Sequence, residues 1–274
     1  MAGQPAEVDD GAMTSSTSRT STRRTATRRA AARRSWLVLG SALSLVLVAA
    51  TGCNRYLDEI DGSGTPETID VATGDGFNQL ELNHGFEVDV VVAEGPTSIE
   101  VTVDDNLVDY LDVEVRGDVL QVGFQQRVSY DFDVQPTATI SMPSLERIDL
   151  GGAVTANVAG VEAEEAIDVD ASGASDLSLN ARVDSLTIDA SGASNVDVDG
   201  RAEDVQIDAS GASNVDLGSL DASGATVDLS GASFLRLGTV ERVEGALSGA
   251  STLAAASTSD VNVRTSGASS VAWR

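Results

Sequence analysis

Five aspartates recur at nearly constant spacing: Asp149, Asp170, Asp189, Asp208 and Asp228. Carboxylates stacked closely raise one another's pKa or gather cations. Calcium, which takes oxygen ligands, is the ion such a column would hold. The spacing departs from the Gly-Gly-x-Gly-x-Asp calcium roll, and a solvated, salt-screened acidic surface accounts for the same residues, so no metal set is assigned. A second constellation is Asp197, Asp216 and Arg236, each six residues after the start of a recurring tetrapeptide. Two acids and a basic residue on a lateral face are the equipment of carbohydrate-cleaving lyases and hydrolases built on strand coils. Serines form two further series, Ser172 to Ser266 and Ser175 to Ser269, but a serine nucleophile needs a base. The chain has one histidine, His84, and no lysine, which leaves acyl transfer without an activating group. His84 itself reads as a strand-end residue. The sequence holds neither a Cys/His cluster with metal spacing nor a Gly-rich loop running into a helix.

Elements that repeat as these side chains do must carry them. Ser-Gly-Ala-Ser begins at Ser172, Ser191, Ser210, Ser230, Ser248 and Ser266, at intervals of 19, 19, 20, 18 and 18 residues. That period is too short for a helical pair and fits one turn of a stacked strand coil. Before each tetrapeptide apolar residues alternate, as in Ile167, Val169, Ala171 and Leu186, Ile188, Ala190, then Val205, Ile207, Ala209. Two further turns give Ala225, Val227, Leu229 and Val261, Val263, Thr265. After it they alternate again, from Leu177 and Leu179 through Val196 and Val198 to Val271 and Trp273. Period-two alternation places each set on one side of a strand. The expected fold is all-β, a parallel β-solenoid (a single-stranded β-helix). Its serine columns are expected to exchange hydroxyl hydrogen bonds between rungs, with Asn195 and Asn214 forming an amide ladder beside Asp176. An antiparallel sandwich would not require one tetrapeptide at one interval in every strand pair.

The amino-terminal third is different. Residues 1–35 are a basic leader and 36–52 an uncharged apolar segment, whose run from Trp36 to Ala50 is short for a membrane span. Arg33-Arg34-Ser35-Trp36-Leu37 resembles a twin-arginine export motif, with the general secretory route as the alternative. Ala50-Thr51-Gly52-Cys53 resembles a bacterial lipobox. Cys53 is the chain's only cysteine, so an internal disulfide is excluded and lipidation is the expected role. A diacylated Cys53 would hold the protein on the outer face of the cell membrane without spanning it. Residues 53–75 then read as the lipidated Cys and a tether, and 76–274 as the folded domain. That domain opens with short strands, partly hairpin-connected, that are expected to cover one end of the coil. Seven arginines against three acids precede Cys53, so of the chain's net −26 the remaining 222 residues carry −30. Such a field disfavours nucleic acid and favours cationic partners.

Gly76-Phe77-Asn78-Gln79-Leu80-Glu81-Leu82, Phe86 to Gly95, Val101-Thr102-Val103-Asp104-Asp105-Asn106-Leu107 and the Ser-Gly-Ala-Ser turns together resemble the putative auto-transporter adhesin, head GIN domain family. The resemblance spans about residues 76 to 257. It implies an exported, strand-coiled domain of bacterial envelopes with no established activity, and it brings no functional residues with it. The expected function is a lipid-anchored, non-enzymatic surface module that meets an extracellular or cell-surface ligand by distributed contact. The alternatives are a carbohydrate-active β-helix enzyme and a calcium-binding surface repeat.

Overall fold

The computed structural model describes residues 59–72, 76–162 and 166–274; the leader, the apolar segment and Cys53 lie outside the described residues. The chain runs through β1 (Glu59–Asp61), β2 (Pro66–Asp70), β3 (Gln79–Leu82), β4 (Glu87–Val92) and β5 (Ser98–Asp104). One 3-10 turn, Asp105–Tyr110, leads into β6 (Leu111–Arg116), β7 (Val119–Phe124), β8 (Ser129–Asp131) and β9 (Thr137–Met142). The coil proper follows as β10 (Arg147–Leu150), β11 (Thr155–Glu162), β12 (Ala166–Ala171), β13 (Asp176–Ala190), β14 (Asn195–Ala209) and β15 (Asn214–Leu229). It ends with β16 (Phe234–Leu247), β17 (Thr252–Ala255), β18 (Asp260–Thr265) and β19 (Ser270–Trp273).

From β10 onward every pairing within the coil is parallel, and the fold is a β-solenoid. β13 pairs with β14 from Asp176↔Asn195 to Ala190↔Ala209, a constant offset of one repeat. The tetrapeptides stack as corners: the Ala193 N–H donates to the Gly173 carbonyl at 2.8 Å, Ala212 to Gly192 at 2.8 Å and Ala232 to Gly211 at 2.7 Å. The glycine of each corner is left-handed, with φ +73° at Gly192 and +74° at Gly211. A Cβ at Gly192 would lie 2.5 Å from the Gly173 carbonyl oxygen, so both the backbone region and the rung separation require glycine. Irregular intervals are absorbed elsewhere. The extra residue of the 20-residue turn enters as a bulge facing Asp197 to Asp199, and the following shorter turn is corrected between Leu217 and Asp221.

The alternating apolar positions point inward as their period requires. Ile167, Leu186, Ile188, Ile207, Val215, Val227, Leu235 and Leu253 are all fully buried, and the stacked aliphatic rungs form one continuous core. Buried without their own hydrogen-bond donors, such residues leave main-chain ladders to satisfy every peptide group. The final turn departs from the expectation: Val261, Val263 and Val271 are half-buried and Trp273 is exposed, because no further rung lies over them among the described residues.

The amino-terminal strands do more than cover an end. β3 and β4 pair in parallel with β10 and β11, with Leu80 opposite Ile148 and Val88 opposite Ala156, and β7 and β9 pair in parallel with β3 and β4 in turn. The β7/β9 rung is thus assembled from non-consecutive strands, and both amino-terminal rungs stack out of chain order. The covering role falls to β2, β5 and β6, which pair antiparallel, and to an aromatic group in which Phe124 lies 5.4 Å from Phe86, 4.8 Å from Tyr130 and 5.1 Å from Phe132.

The tether also ends earlier than the composition indicates. β1 pairs with β8 and β2 with β5, so residues 59–70 belong to the fold. Asp104, fully buried, accepts hydrogen bonds from the N–H groups of Gly64 at 2.7 Å and Val134 at 3.1 Å. Asn106 accepts from the Ser63 N–H at 3.0 Å and donates to the Asp61 carbonyl at 2.9 Å. The Asp104-Asp105-Asn106 stretch is a clamp on residues 61–64.

Gly192→Ala is expected to destabilise the domain by at least about 2 kcal/mol in urea unfolding, from left-handed strain plus the carbonyl clash. Ala193→Ser, at the exposed neighbouring position, should leave the midpoint unchanged.

Candidate functional site

The aspartate column forms as its spacing requires. Asp149 lies in register with Asp170, Asp170 with Asp189, Asp189 with Asp208 and Asp208 with Asp228. Parallel pairing repeats an outward side chain once per rung, about 4.8 Å apart. Because β3 stacks beneath β10, the column continues to Glu81 and then Gln121, which donates to Glu81 at 2.6 Å. Beside it the corner serines Ser172, Ser191 and Ser210 line an open groove of about 310 Å³.

Arg147 forms an ion pair with Asp170. Burial pushes the half-buried Asp149 carboxyl upward, helped by the charges of Asp170 and Glu81 and opposed by Arg147. Asp189 is likewise raised, by burial first and then by Asp170 and Asp208. The carboxylates are distributed one per rung. Among the described residues no three His, Cys, Asp or Glu side chains are grouped so as to hold a metal ion.

On the strands after the corner, Asp197, Asp216 and Arg236 share one register. Arg236 pairs with Asp216 at 3.0 Å, and the other Asp216 oxygen accepts the Gly218 N–H at 2.8 Å. Both oxygens of Asp216 are therefore engaged within the chain. Asp197 is raised by burial and by Asp199 and Asp216. Asp197 and Asp216 border a second open groove of about 330 Å³, walled also by Asn157, Ser178, Asp176, Asn195 and Asn214. The amide ladder exists in part: Asn195 donates to Asp176 at 2.7 Å and lies in register with Asn214.

One assignment differs from the sequence reading. The inner serines do not bond hydroxyl to hydroxyl between rungs. Ser175, Ser194, Ser213, Ser233 and Ser251 are buried, and each donates to the carbonyl of the first serine of its own corner at 2.6–2.7 Å. Satisfying that carbonyl inside the core outweighs a hydroxyl exchange. His84 lies two residues beyond the end of β3, at the corner position filled by glycine elsewhere, with φ +68°. Its Nδ1 accepts the Phe124 N–H at 3.2 Å, and burial lowers its pKa against the pull of Asp112. The ring is a main-chain acceptor. Glu81 and Arg147 escaped the sequence reading: the register of β3 beneath β10 brings in Glu81, and the pairing of β10 with β12 brings Arg147 to Asp170.

The model of the putative auto-transporter adhesin, head GIN domain family matches residues 76–259. The chain belongs to this family. Its β-solenoid is similar to that of a putative adhesin from Bacteroides fragilis, at 18% identity, 78% of this chain, all of the other and a TM-score of 0.72. It is also similar to a putative lipid binding protein from Parabacteroides distasonis, at 16% identity, 79% of this chain, all of the other and a TM-score of 0.65. A putative adhesin from the same organism gives 16% identity, the same coverages and a TM-score of 0.56. At these identities the likeness is one of fold. No curated protein matches the chain. In this head GIN domain no helix among the described residues is long and apolar enough to cross a membrane.

A carboxyl whose pKa folding raises takes up its proton in the native state before the unfolded chain does, so it adds stability as pH falls toward the ordinary value of 3.8. Asp189→Asn should raise the melting temperature at about pH 7 and reduce its further rise as the pH falls from about 7 to about 4, close to the ordinary carboxyl value. Thermal melts at both pH values check this, and salt at about 1 M should shrink the difference between variant and parent.

Proposed function

We propose that the chain is a lipid-anchored, non-enzymatic surface module of the bacterial envelope, adhesin-like, that binds cationic or basic ligands by repeated contacts along its two outward ladders. The observation that carries this reading is the register itself. Five aspartates repeat one per rung beside a serine-lined open groove, and the second face repeats Asp176, Asn195 and Asn214 in the same manner. A surface of that kind offers many weak, equivalent contacts, which suits an extended partner. The −30 carried from Cys53 onward selects positive charge. Membership of a family described as adhesins supports the same class of role.

The anchor rests on Cys53, the lone cysteine, following an apolar segment and a lipobox-like Ala50-Thr51-Gly52. The non-enzymatic reading is supported on the second face, where Asp216 spends one oxygen on Arg236 and the other on a main-chain N–H, leaving Asp197 without a free partner acid in the adjoining rung. Calcium is not invoked, because the aspartates are spread along the column.

Two measurements test the proposal. Cys53→Ser should move the protein from the membrane fraction to the soluble fraction of exporting cells; retention in the membrane would defeat the anchor. On an array of glycans and basic peptides, binding should weaken about tenfold for the Asp189→Asn, Asp208→Asn double variant and fall with salt. Binding unaffected by both would defeat the ladder as the contact surface, and a melting temperature raised by calcium would favour the metal-binding alternative.

A further inference from the structure

The last rung breaks two patterns at once. β18 pairs only with β16 and β19 only with β17 among the described residues, so one edge of each is open. Open edges carry unpaired N–H and C=O groups that template further strands. The inward Val261, Val263 and Val271 are half-buried, and Trp273 is 57% exposed. This rung also lies beyond the stretch matched by the family, which ends at residue 259.

The acidic columns stop before they reach this edge. The aspartate column passes from Asp228 to Ala246 and then Arg264, and the second face from Asp216 to Arg236, Ala254 and Ala272. Residues 248–274 hold one acid, Asp260, and two arginines, Arg264 and Arg274. In a chain of net −26, this is an end where like-charge repulsion has been removed.

The edge strand is also complementary to itself. Asp260-Val261-Asn262-Val263-Arg264 reads acid, apolar, polar, apolar, base. Antiparallel pairing with a second copy about a two-fold axis at Asn262 sets Asp260 opposite Arg264 of the second copy and Val261 opposite Val263 of the second copy. Residues opposite one another in an antiparallel pair point to the same side. The valines would then continue the aliphatic core across the junction, while both ion pairs and the facing asparagines stay outside. A one-residue slip would lose both the charge match and the inward valines. The same contact made twice is the isologous form that closes as a dimer instead of growing into a fibre.

We propose that β18 is a homodimerisation edge, through which two copies join end to end by antiparallel pairing centred on Asn262. The test uses the full chain in mild non-ionic detergent with Cys53→Ser, so that no lipid drives association. Sedimentation velocity should show a concentration-dependent monomer–dimer equilibrium. Arg264→Asp alone and Asp260→Arg alone should each weaken it by at least about tenfold, and mixing the two variants should restore it, since every acid then faces a base. Asn262→Cys should give a disulfide-linked dimer under mild oxidation, while Thr226→Cys, in the same outward column two rungs away, should not. Circular dichroism melts confirm that each variant is folded. A parent that stays monomeric, single variants that associate like the parent, a mixture that fails to associate, or equal cross-linking at both thiol positions would each overturn the proposal.

Discussion

The whole molecule depends on main-chain hydrogen bonds between stacked corners. Each corner alanine N–H reaches the glycine carbonyl one rung away at 2.7–2.8 Å. This contact fixes where each strand starts, and hence which side chains face inward along the following fifteen or so residues. A corner displaced by one residue would turn the aliphatic rungs outward and the aspartates inward. Glycine is the only residue that meets both demands at Gly192, a left-handed backbone and a neighbouring carbonyl 2.5 Å from where a Cβ would be. The serine three positions after the start of each corner, buried in all but the last, completes the arrangement by satisfying that corner's first carbonyl.

The same regularity that builds the core creates an electrostatic cost on the outside. Identical rungs place identical charges above one another, and the carboxyls of Asp149 and Asp189 are raised by burial first and by that repulsion second. Arg147 and Arg236 offset it locally, one on each face. Both pairs are partly exposed and contribute little to stability on their own. The fold tolerates the column because the aliphatic interior, unbroken from Leu80 to Leu253, contributes far more. Keeping the acids is therefore a feature of the surface and not of folding.

The repeat made the coil legible before any coordinates: the strands around each tetrapeptide, the inward Ile, Val and Leu, and the Asp149 to Asp228 column all follow from the period. What stayed hidden depends on long-range pairing. Nothing local in Gln79-Leu80-Glu81-Leu82 says that it lies between β7 and β10, because alternation marks a strand and not its neighbours. Glu81 is consequently not recognisable from its own segment as a member of the acidic face. Residues 59–70 looked like a polar tether because their partners, Asp104 and Asn106, lie some forty residues onward. The serine hydroxyls were misassigned for a different reason. Stacked serines can pair across strands, but the carbonyl within the corner lies 2.6–2.7 Å from the hydroxyl and takes it.

The bulges opposite Asp197 and near Leu217 have a practical consequence. Turns of 18, 19 and 20 residues coexist because length differences are taken up on the stretch remote from the tetrapeptide, while all six corners remain aligned. That stretch behaves as a permissive graft point: a foreign epitope or loop spliced in beside Gly218 would project from the flank of the column, leaving the corner ladder untouched and its entropic penalty growing only slowly with the size of the insert.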